Sequence, residues 1–252
     1  KVTQPAIFIH SIALKSVMTD FEPAMVAGHS LGEFSALVAS GALSFEDGLK
    51  LVSQRAQAMQ KACEIQPSTM AAVLGLEDAV VEEVCEQTPG VVVAANYNCP
   101  GQLVISGSAQ GVEKASSLAK EKGARRVLPL NVQGSFHTPF MQSAKEVVAG
   151  LLQDIPLKEP TSLLAMNATG TLSKDLETIK KNLAFQIIHP VYWELCVRSM
   201  EELGVTSYIE IGCGKVLSGL NKKIGVTGES FALNTIEDFN QLMEKAYENA
   251  GK

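Results

Sequence analysis

Gly28-His29-Ser30-Leu31-Gly32 sets a serine in the order G-x-S-x-G. On a tight strand-to-helix turn, that order holds a hydroxyl at the top of a sheet, exposed for attack on a carbonyl. The apolar run Pro23 to Gly28 before it and the helical pattern from Leu31 to Ser40 after it supply such a turn; the competing reading is a plain turn serine. Serine is a weak nucleophile at neutral pH and needs a base, most often histidine. The chain has four histidines. His10 lies within a helical stretch, His29 belongs to the turn itself, and His189 precedes Pro190 between two helices. His137, in Gly134-Ser135-Phe136-His137-Thr138-Pro139, sits on a glycine-containing loop before a helix. A side chain there can reach into a cleft or simply face solvent.

A third residue raises the question of substrate. Along the helix that starts at Ser44, with Asp47 completing a capping-box-like pair, Gly48, Val52, Arg55, Met59 and Ala62 fall on one stripe at steps of three and four. Arg55 is thereby predicted to be buried. A guanidinium cannot shed its proton, so burial demands an anionic partner. Either an internal Asp or Glu supplies it, or the carboxylate of a substrate does, held by both prongs of the fork. Gly212-Cys213-Gly214-Lys215 follows a strand, but its spacing is that of neither a phosphate loop nor a dinucleotide fingerprint, and it reads as a tight turn. Arg125-Arg126 and Lys222-Lys223 are small basic pairs of the kind usually found on a solvated surface. The five cysteines, Cys63, Cys85, Cys99, Cys196 and Cys213, are scattered without metal or redox spacing and read as reduced, mostly packed thiols. No metal site is predicted.

Composition narrows the setting. With 252 residues, 46% of them hydrophobic and 19% charged, the chain has enough material for one large α/β domain or one carrying a smaller insert. A formal net charge of -6 speaks against a nucleic-acid surface. No apolar run approaches the roughly 20 residues that cross a bilayer, and Lys1 to Thr19 lacks a signal-peptide core, so no membrane and a cytoplasmic location are expected.

The elements that must position these residues follow from periodicity. Thr3 to about Met18, Leu31 to Ser40 and Ser44 to about Cys63 are predicted helices. From 68 to 133 the order becomes strand (Met70 to Leu76), helix (Asp78 to Gln87), strand (Val91 to Asn96), strand (Gln102 to Gly107), helix (Ala109 to Lys122), strand (Arg125 to Leu130). This βαββαβ order is that of a ferredoxin-like unit. Beyond it come a helix from Pro139 to Leu152, a strand from Ser162 to Asn167 and helices from Ser173 to Ala184 and Val191 to Leu203. A strand from Ser207 to Ile211 and another helix close the pattern. The fold class predicted is α/β: a mostly parallel sheet flanked by helices over residues 1–67 and 134–252, with a ferredoxin-like subdomain inserted at 68–133.

In order along the chain, Thr3-Gln4-Pro5-Ala6, Gly28-His29-Ser30-Leu31-Gly32-Glu33, Gln54-Arg55, Asn96-Tyr97-Asn98-Cys99-Pro100-Gly101-Gln102, Gly134-Ser135-Phe136-His137, Gln186 ahead of His189-Pro190-Val191, and Gly214-Lys215-Val216-Leu217 resemble the malonyl-CoA:acyl-carrier-protein transacylase family. The resemblance covers nearly the whole chain and implies a hydrolase-like fold with a ferredoxin-like insert. It further implies a malonyl-serine ester on Ser30 and His137 as base, steadied by a main-chain carbonyl near Gln186 rather than by an acid. Arg55 becomes the clamp for the malonyl carboxylate, the Leu31 N–H an oxyanion donor, and Gln186, Asn98, Phe136 and His29 substrate-binding neighbours. Phe136 resembles members that take malonyl rather than methylmalonyl. Coenzyme A enters only as the thioester substrate, no cofactor is bound, and the partner is an acyl carrier protein, for whose acidic surface Arg125, Arg126, Lys222 and Lys223 become docking residues. A monomer is expected.

Two departures accompany this. Family members carry an N-terminal strand and a Gly-Gln-Gly-x-Gln loop that donates to the oxyanion; the chain opens at Lys1 with no counterpart, and loss of one donor costs roughly two to three orders of magnitude in rate. Cys213 stands where the family usually has proline. Other readings are a polyketide acyltransferase, a serine thioesterase or hydrolase, and a non-catalytic carrier-binding module. A chain ending near Lys252 fits fatty acid synthesis better than a polyketide pathway.

Overall fold

The computed structural model describes residues 2–19, 21–132 and 134–250, with side chains to residue 244. Its elements in chain order are α1 (Thr3–Ser16), β1 (Met25–Val26), α2 (Gly32–Ala39), α3 (Phe45–Ile65), β2 (Ser68–Leu74), α4 (Asp78–Gln87), β3 (Val92–Cys99), β4 (Gln102–Ser108), α5 (Ala109–Glu121) and β5 (Arg126–Pro129). After a 3-10 turn (Pro139–Met141) follow α6 (Gln142–Asp154), β6 (Leu163–Ala165), β7 (Leu172–Ser173), α7 (Leu176–Phe185), α8 (Trp193–Glu202), β8 (Ser207–Ile211), α9 (Val216–Ile224), β9 (Glu229–Leu233) and α10 (Ile236–Ala250).

The longest helix shows why the sequence is legible here. Ser44 caps α3, its hydroxyl oxygen accepting the Asp47 N–H at 3.1 Å. The Asp47 carboxylate accepts a hydrogen bond from the Ser44 hydroxyl at 2.9 Å instead of reaching back to a main-chain N–H. All five residues of the predicted stripe, Gly48, Val52, Arg55, Met59 and Ala62, are buried. Gly48 is where α1 crosses: a Cβ there would stand 2.7 Å from the Phe8 ring. This close approach brings the start of α1, with Gln4, over Arg55.

β2 to β5 form an antiparallel sheet in the order β3-β4-β2-β5, with α4 and α5 packed on one face. That is the ferredoxin-like order, and it has its own apolar cluster. The parallel strands of the rest fall into two pieces. β1 and β6 pair in parallel, with β7 added antiparallel to β6, while β8 and β9 pair in parallel with each other. The helices around β1 and β6 bury the largest core, built on Phe8, Phe34, Leu37, Leu51 and Met166.

Three local readings change. Ser173 is the end of a short strand and not a helix start; α7 begins three residues later, where Asp175 accepts the Thr178 N–H at 2.8 Å. Val191 is likewise not helical, since its N–H donates to Ala95 O at 2.9 Å and its carbonyl accepts from Tyr97 N at 2.8 Å, an isolated bridge to β3. β9 and α10 are additions to the elements predicted. No helix among the described residues is long and apolar enough to cross a membrane.

Candidate functional site

The serine lies where β1 gives way to α2. Gly28 makes the turn possible, because a Cβ on it would sit 1.9 Å from the Gly32 carbonyl carbon. Gly32 itself has open space at that position, so only the first glycine of the motif is required by close approach. Ser30 has φ 53°, the strained conformation that projects a side chain out of a sharp bend. Asn167, just beyond β6, staples this bend: its amide oxygen accepts the Ser30 N–H at 2.6 Å and its NH2 donates to Gly28 O at 2.9 Å.

His137 also has a positive φ, 60°, and is 3% exposed. Its loop is fixed on both sides. Ser106 of β4 donates to Phe136 O at 2.8 Å, and Thr138 caps the following turn by accepting the Phe140 N–H at 3.2 Å. The imidazole Nδ1 faces two carbonyl oxygens, Gln186 at 2.7 Å and His189 at 3.2 Å, so Nδ1 must carry the proton. Nε2 is then a free lone pair, 2.9 Å from Ser30 Oγ. Burial drives the imidazole down to about 3, helped by the Arg55 charge and opposed by the Gln186 carbonyl. The ring is a neutral base.

Arg55 comes to the same oxygen from the other side. Its Nη2 donates to Ser30 Oγ at 2.9 Å and to Gln186 Oε1 at 3.1 Å, and its Nη1 donates to Gln4 Oε1 at 2.5 Å. The guanidinium lies over the Phe34 ring, 5.4 Å from its centroid. It is 1% exposed, yet among the described residues no Asp or Glu forms an ion pair with it. Ser30 Oγ thus accepts from a cation and donates to a neutral imidazole, an arrangement that prepares it to lose its proton.

The structure therefore brings Ser30, His137, Arg55 and Gln186 into mutual contact. His29 and Asn98 form a neighbouring pair, with His29 Nε2–H donating to Asn98 Oδ1 at 2.9 Å and the His29 ring 5.6 Å from that of Trp193. The ladder of β3 slips between Ala94 and Asn96 and again between Tyr97 and Cys99, the second slip falling at Asn98. Phe136 is half-buried between the main core and β2–β4 residues. The Leu31 N–H is taken by no acceptor among the described residues. Three further residues belong here without having been singled out: Gln4, Glu33 and Asn167. Each left a trace in the sequence. Glu33 follows the serine by three positions, Asn167 is a polar end to an apolar strand, and Gln4 opens the helix that crosses α3. Among the described residues no group of three or more His, Cys, Asp or Glu gathers to hold a metal.

The profile of the acyl transferase domain matches residues 1–214. The chain belongs to the acyl transferase family. This acyl transferase is 40% identical to the malonyl CoA-acyl carrier protein transacylase of Bacillus subtilis (strain 168), covering 98% of its own length and 80% of the relative's. Its structure matches that of the Xanthomonas oryzae pv. oryzae malonyl-CoA:acyl carrier protein transacylase, FabD, with a TM-score of 0.92 and 39% identity over 96% of this chain and 79% of that one. A malonyl-transacylase solved in complex with its type II PKS acyl-carrier protein matches with a TM-score of 0.93 and 34% identity, over 96% of this chain and 80% of that one. The α/β fold with its antiparallel insert is thus shared with enzymes of known structure.

Proposed function

We propose that this acyl transferase moves a malonyl group from malonyl-CoA to the phosphopantetheine thiol of an acyl carrier protein, in fatty acid synthesis, through an ester on Ser30. The observation that carries the reading is the Ser30 hydroxyl held between a neutral imidazole and a buried guanidinium that touches no carboxylate among the described residues. Nε2 of His137 takes the Ser30 proton as Oγ attacks the thioester carbonyl, and the Leu31 N–H receives the developing oxyanion. The C–S bond breaks, and the coenzyme A thiolate leaves with the proton from His137. Arg55 releases Ser30 Oγ and grips the malonyl carboxylate. The carrier thiol then gives its proton to His137 and attacks the ester; Ser30 recovers that proton as it departs. Phe136, His29 and Asn98 line the acyl path. Residues 68–133 serve as the smaller subdomain, residues 1–67 and 134–252 as the larger, and the site lies where they meet. No bound cofactor is needed, and we place the enzyme in the cytoplasm as a monomer.

Intact-mass measurement on protein mixed with malonyl-CoA tests this. A persistent malonyl adduct that maps to Ser30 is expected. Free malonate without an adduct would make the protein a hydrolase, and carrier binding without any acylation would make it a non-catalytic module.

The depressed basicity of His137 gives a pH signature. The folded site refuses a proton until about pH 3, whereas the unfolded chain accepts one near 6.5. The initial rate of Ser30 acylation should therefore stay level from about pH 8 down to about pH 5. The same inequality means that the unfolded state binds more protons in between, so the contribution of His137 to folding is full above 6.5 and is lost as pH falls toward 3. A rate that halves near pH 6.5 would contradict a buried, neutral base.

The two basic pairs flank one turn. Lys223 Nζ donates to Gln102 Oε1 at 2.7 Å, and Gly75, whose N–H donates to Gly101 O at 2.8 Å, lies against Arg125. Arg125, Arg126, Lys222 and Lys223 are exposed, and the turn between them continues from Asn98. We assign them to docking of the acidic carrier protein. Arg125→Glu with Arg126→Glu should raise the apparent KM for carrier protein about 3- to 10-fold at low salt, leaving malonyl loading from coenzyme A unchanged. An unchanged KM would remove this pair from the docking surface.

A further inference from the structure

Arg55 is a buried cation whose hydrogen-bonding groups are all neutral: the Gln4 and Gln186 amide oxygens and the Ser30 hydroxyl. An unpaired buried charge is costly, so a compensating anion must stand nearby. That anion is Glu33, itself 1% exposed. Its Oε1 accepts the Asn167 N–H at 2.6 Å and its Oε2 accepts from Gln186 Nε2 at 2.6 Å. Gln186 Nε2 also donates to Ser30 O at 2.9 Å, while its Oε1 faces Arg55. One amide therefore separates the two charges. Burial, the largest influence, pushes the Glu33 carboxyl up to about 8, against the two N–H donors and the Arg55 charge, which hold it down. Both of its oxygens accept, the pattern of an ionised group.

We propose that Glu33 is the counter-ion of Arg55, held one amide away, and that the Gln186 side chain is a neutral spacer that keeps the guanidinium charged and oriented yet open to a substrate carboxylate. This rests on the malonyl reading. A carboxylate directly on Arg55 would compensate its charge as well, but an incoming malonyl group would have to break that ion pair. A neutral amide or hydroxyl oxygen yields more easily, because it offers the guanidinium a dipole and a single bond where a carboxylate offers a full charge and a bidentate contact. Glu33 also fixes which way the amide points. A carboxylate only accepts, so Nε2 must face it and Oε1 must face the guanidinium. Both are positioning residues, acting through Arg55 and through the bend that Asn167 holds.

Two variants and the unaltered protein test this by malonyl and acetyl loading of Ser30 from their coenzyme A thioesters, followed by mass spectrometry. Glu33→Gln sets an NH2 against the Gln186 NH2 and forces one amide to turn. Malonyl loading should fall about 10-fold more than acetyl loading. The double variant Glu33→Gln/Gln186→Glu restores the donor–acceptor match between positions 33 and 186, takes the donor from Ser30 O, and moves the carboxylate onto Arg55. Its Tm should stay above that of Glu33→Gln alone, and malonyl loading should fall about 100-fold with acetyl loading reduced only a few-fold. Equal losses for the two acyl groups, or malonyl loading preserved in the double variant, would overturn the proposal. Should either variant fail to fold, the carboxyl 13C shift of Glu33 in the unaltered protein decides: it should report an ionised group at about pH 9, above the raised value of about 8, and a protonated one overturns the assignment. Failure of the unaltered protein to load malonyl would instead sink the malonyl reading.

Discussion

Ser30→Ala should abolish the malonyl adduct and reduce transfer to carrier protein by about 10⁴- to 10⁶-fold, and His137→Ala should cost nearly as much. The size of the loss follows from how the two side chains share one proton. His137 Nδ1 is committed to the Gln186 and His189 carbonyls, so its Nε2 lone pair has one partner within reach, the Ser30 hydroxyl at 2.9 Å. Removing the imidazole leaves Oγ with Arg55 as a donor and no group to accept its proton. Removing the hydroxyl leaves the base with nothing to activate except the second substrate's thiol, for which there is then no ester to attack. Because the residues act as one unit, the double variant should be no slower than Ser30→Ala. Single-turnover transfer of radiolabelled malonyl, read in both half-reactions, checks this. Losses that multiply in the double variant would show that the two side chains work independently. His137→Ala should lower the Tm even above neutral pH, because it opens a cavity and leaves the Gln186 and His189 carbonyls without their donor.

What the sequence disclosed, it disclosed through spacing. The stripe that carries Arg55 was readable because a helix repeats every 3.6 residues, and burial of a charged residue among apolar ones is visible on such a wheel. The βαββαβ order was readable because each of its elements is punctuated by glycine, proline or a capping serine. The short elements were not. β1 and β7 have two residues each, too few for any alternation, and Ser173 belongs to a strand only because Leu164 stands opposite it. Val191 follows a proline and looks like a helix start, yet a neighbouring strand 95 residues earlier claims its backbone. The same distinction separates the site residues. Ser30, His137 and Arg55 have side chains whose chemistry stands out alone. Asn167 and Glu33 gain their place only from what they touch: one staples a strained bend, the other balances a charge through an amide, and no periodicity marks either contact. The third acid that a serine triad would lead one to seek is absent from the His137 ring because two main-chain carbonyls already occupy Nδ1.

Arg55→Ala is expected to slow malonyl loading by about 10²- to 10³-fold and acetyl loading by no more than about 10-fold. Only malonyl brings a carboxylate, which the buried guanidinium fork would meet with two parallel, charge-assisted bonds. Truncation leaves that carboxylate buried against Phe34 and two amide side chains, where desolvation opposes binding. Acetyl has nothing to lose except the hydrogen bond that Arg55 donates to Ser30 Oγ. That bond polarises the hydroxyl, which is why a small common loss is expected for both substrates. Arg55→Lys should not rescue malonyl loading fully, because an ammonium cannot grip both carboxylate oxygens while still serving Gln4 and Gln186. Stability is affected in its own direction. Removing the guanidinium leaves Glu33 buried with only N–H donors around it, so Arg55→Ala should lower the Tm, and more so at alkaline pH, where Glu33 cannot relieve the imbalance by taking up a proton. A substrate-blind loss of loading would mean that Arg55 serves the bend and the hydroxyl alone, and that the malonyl carboxylate is recognised elsewhere.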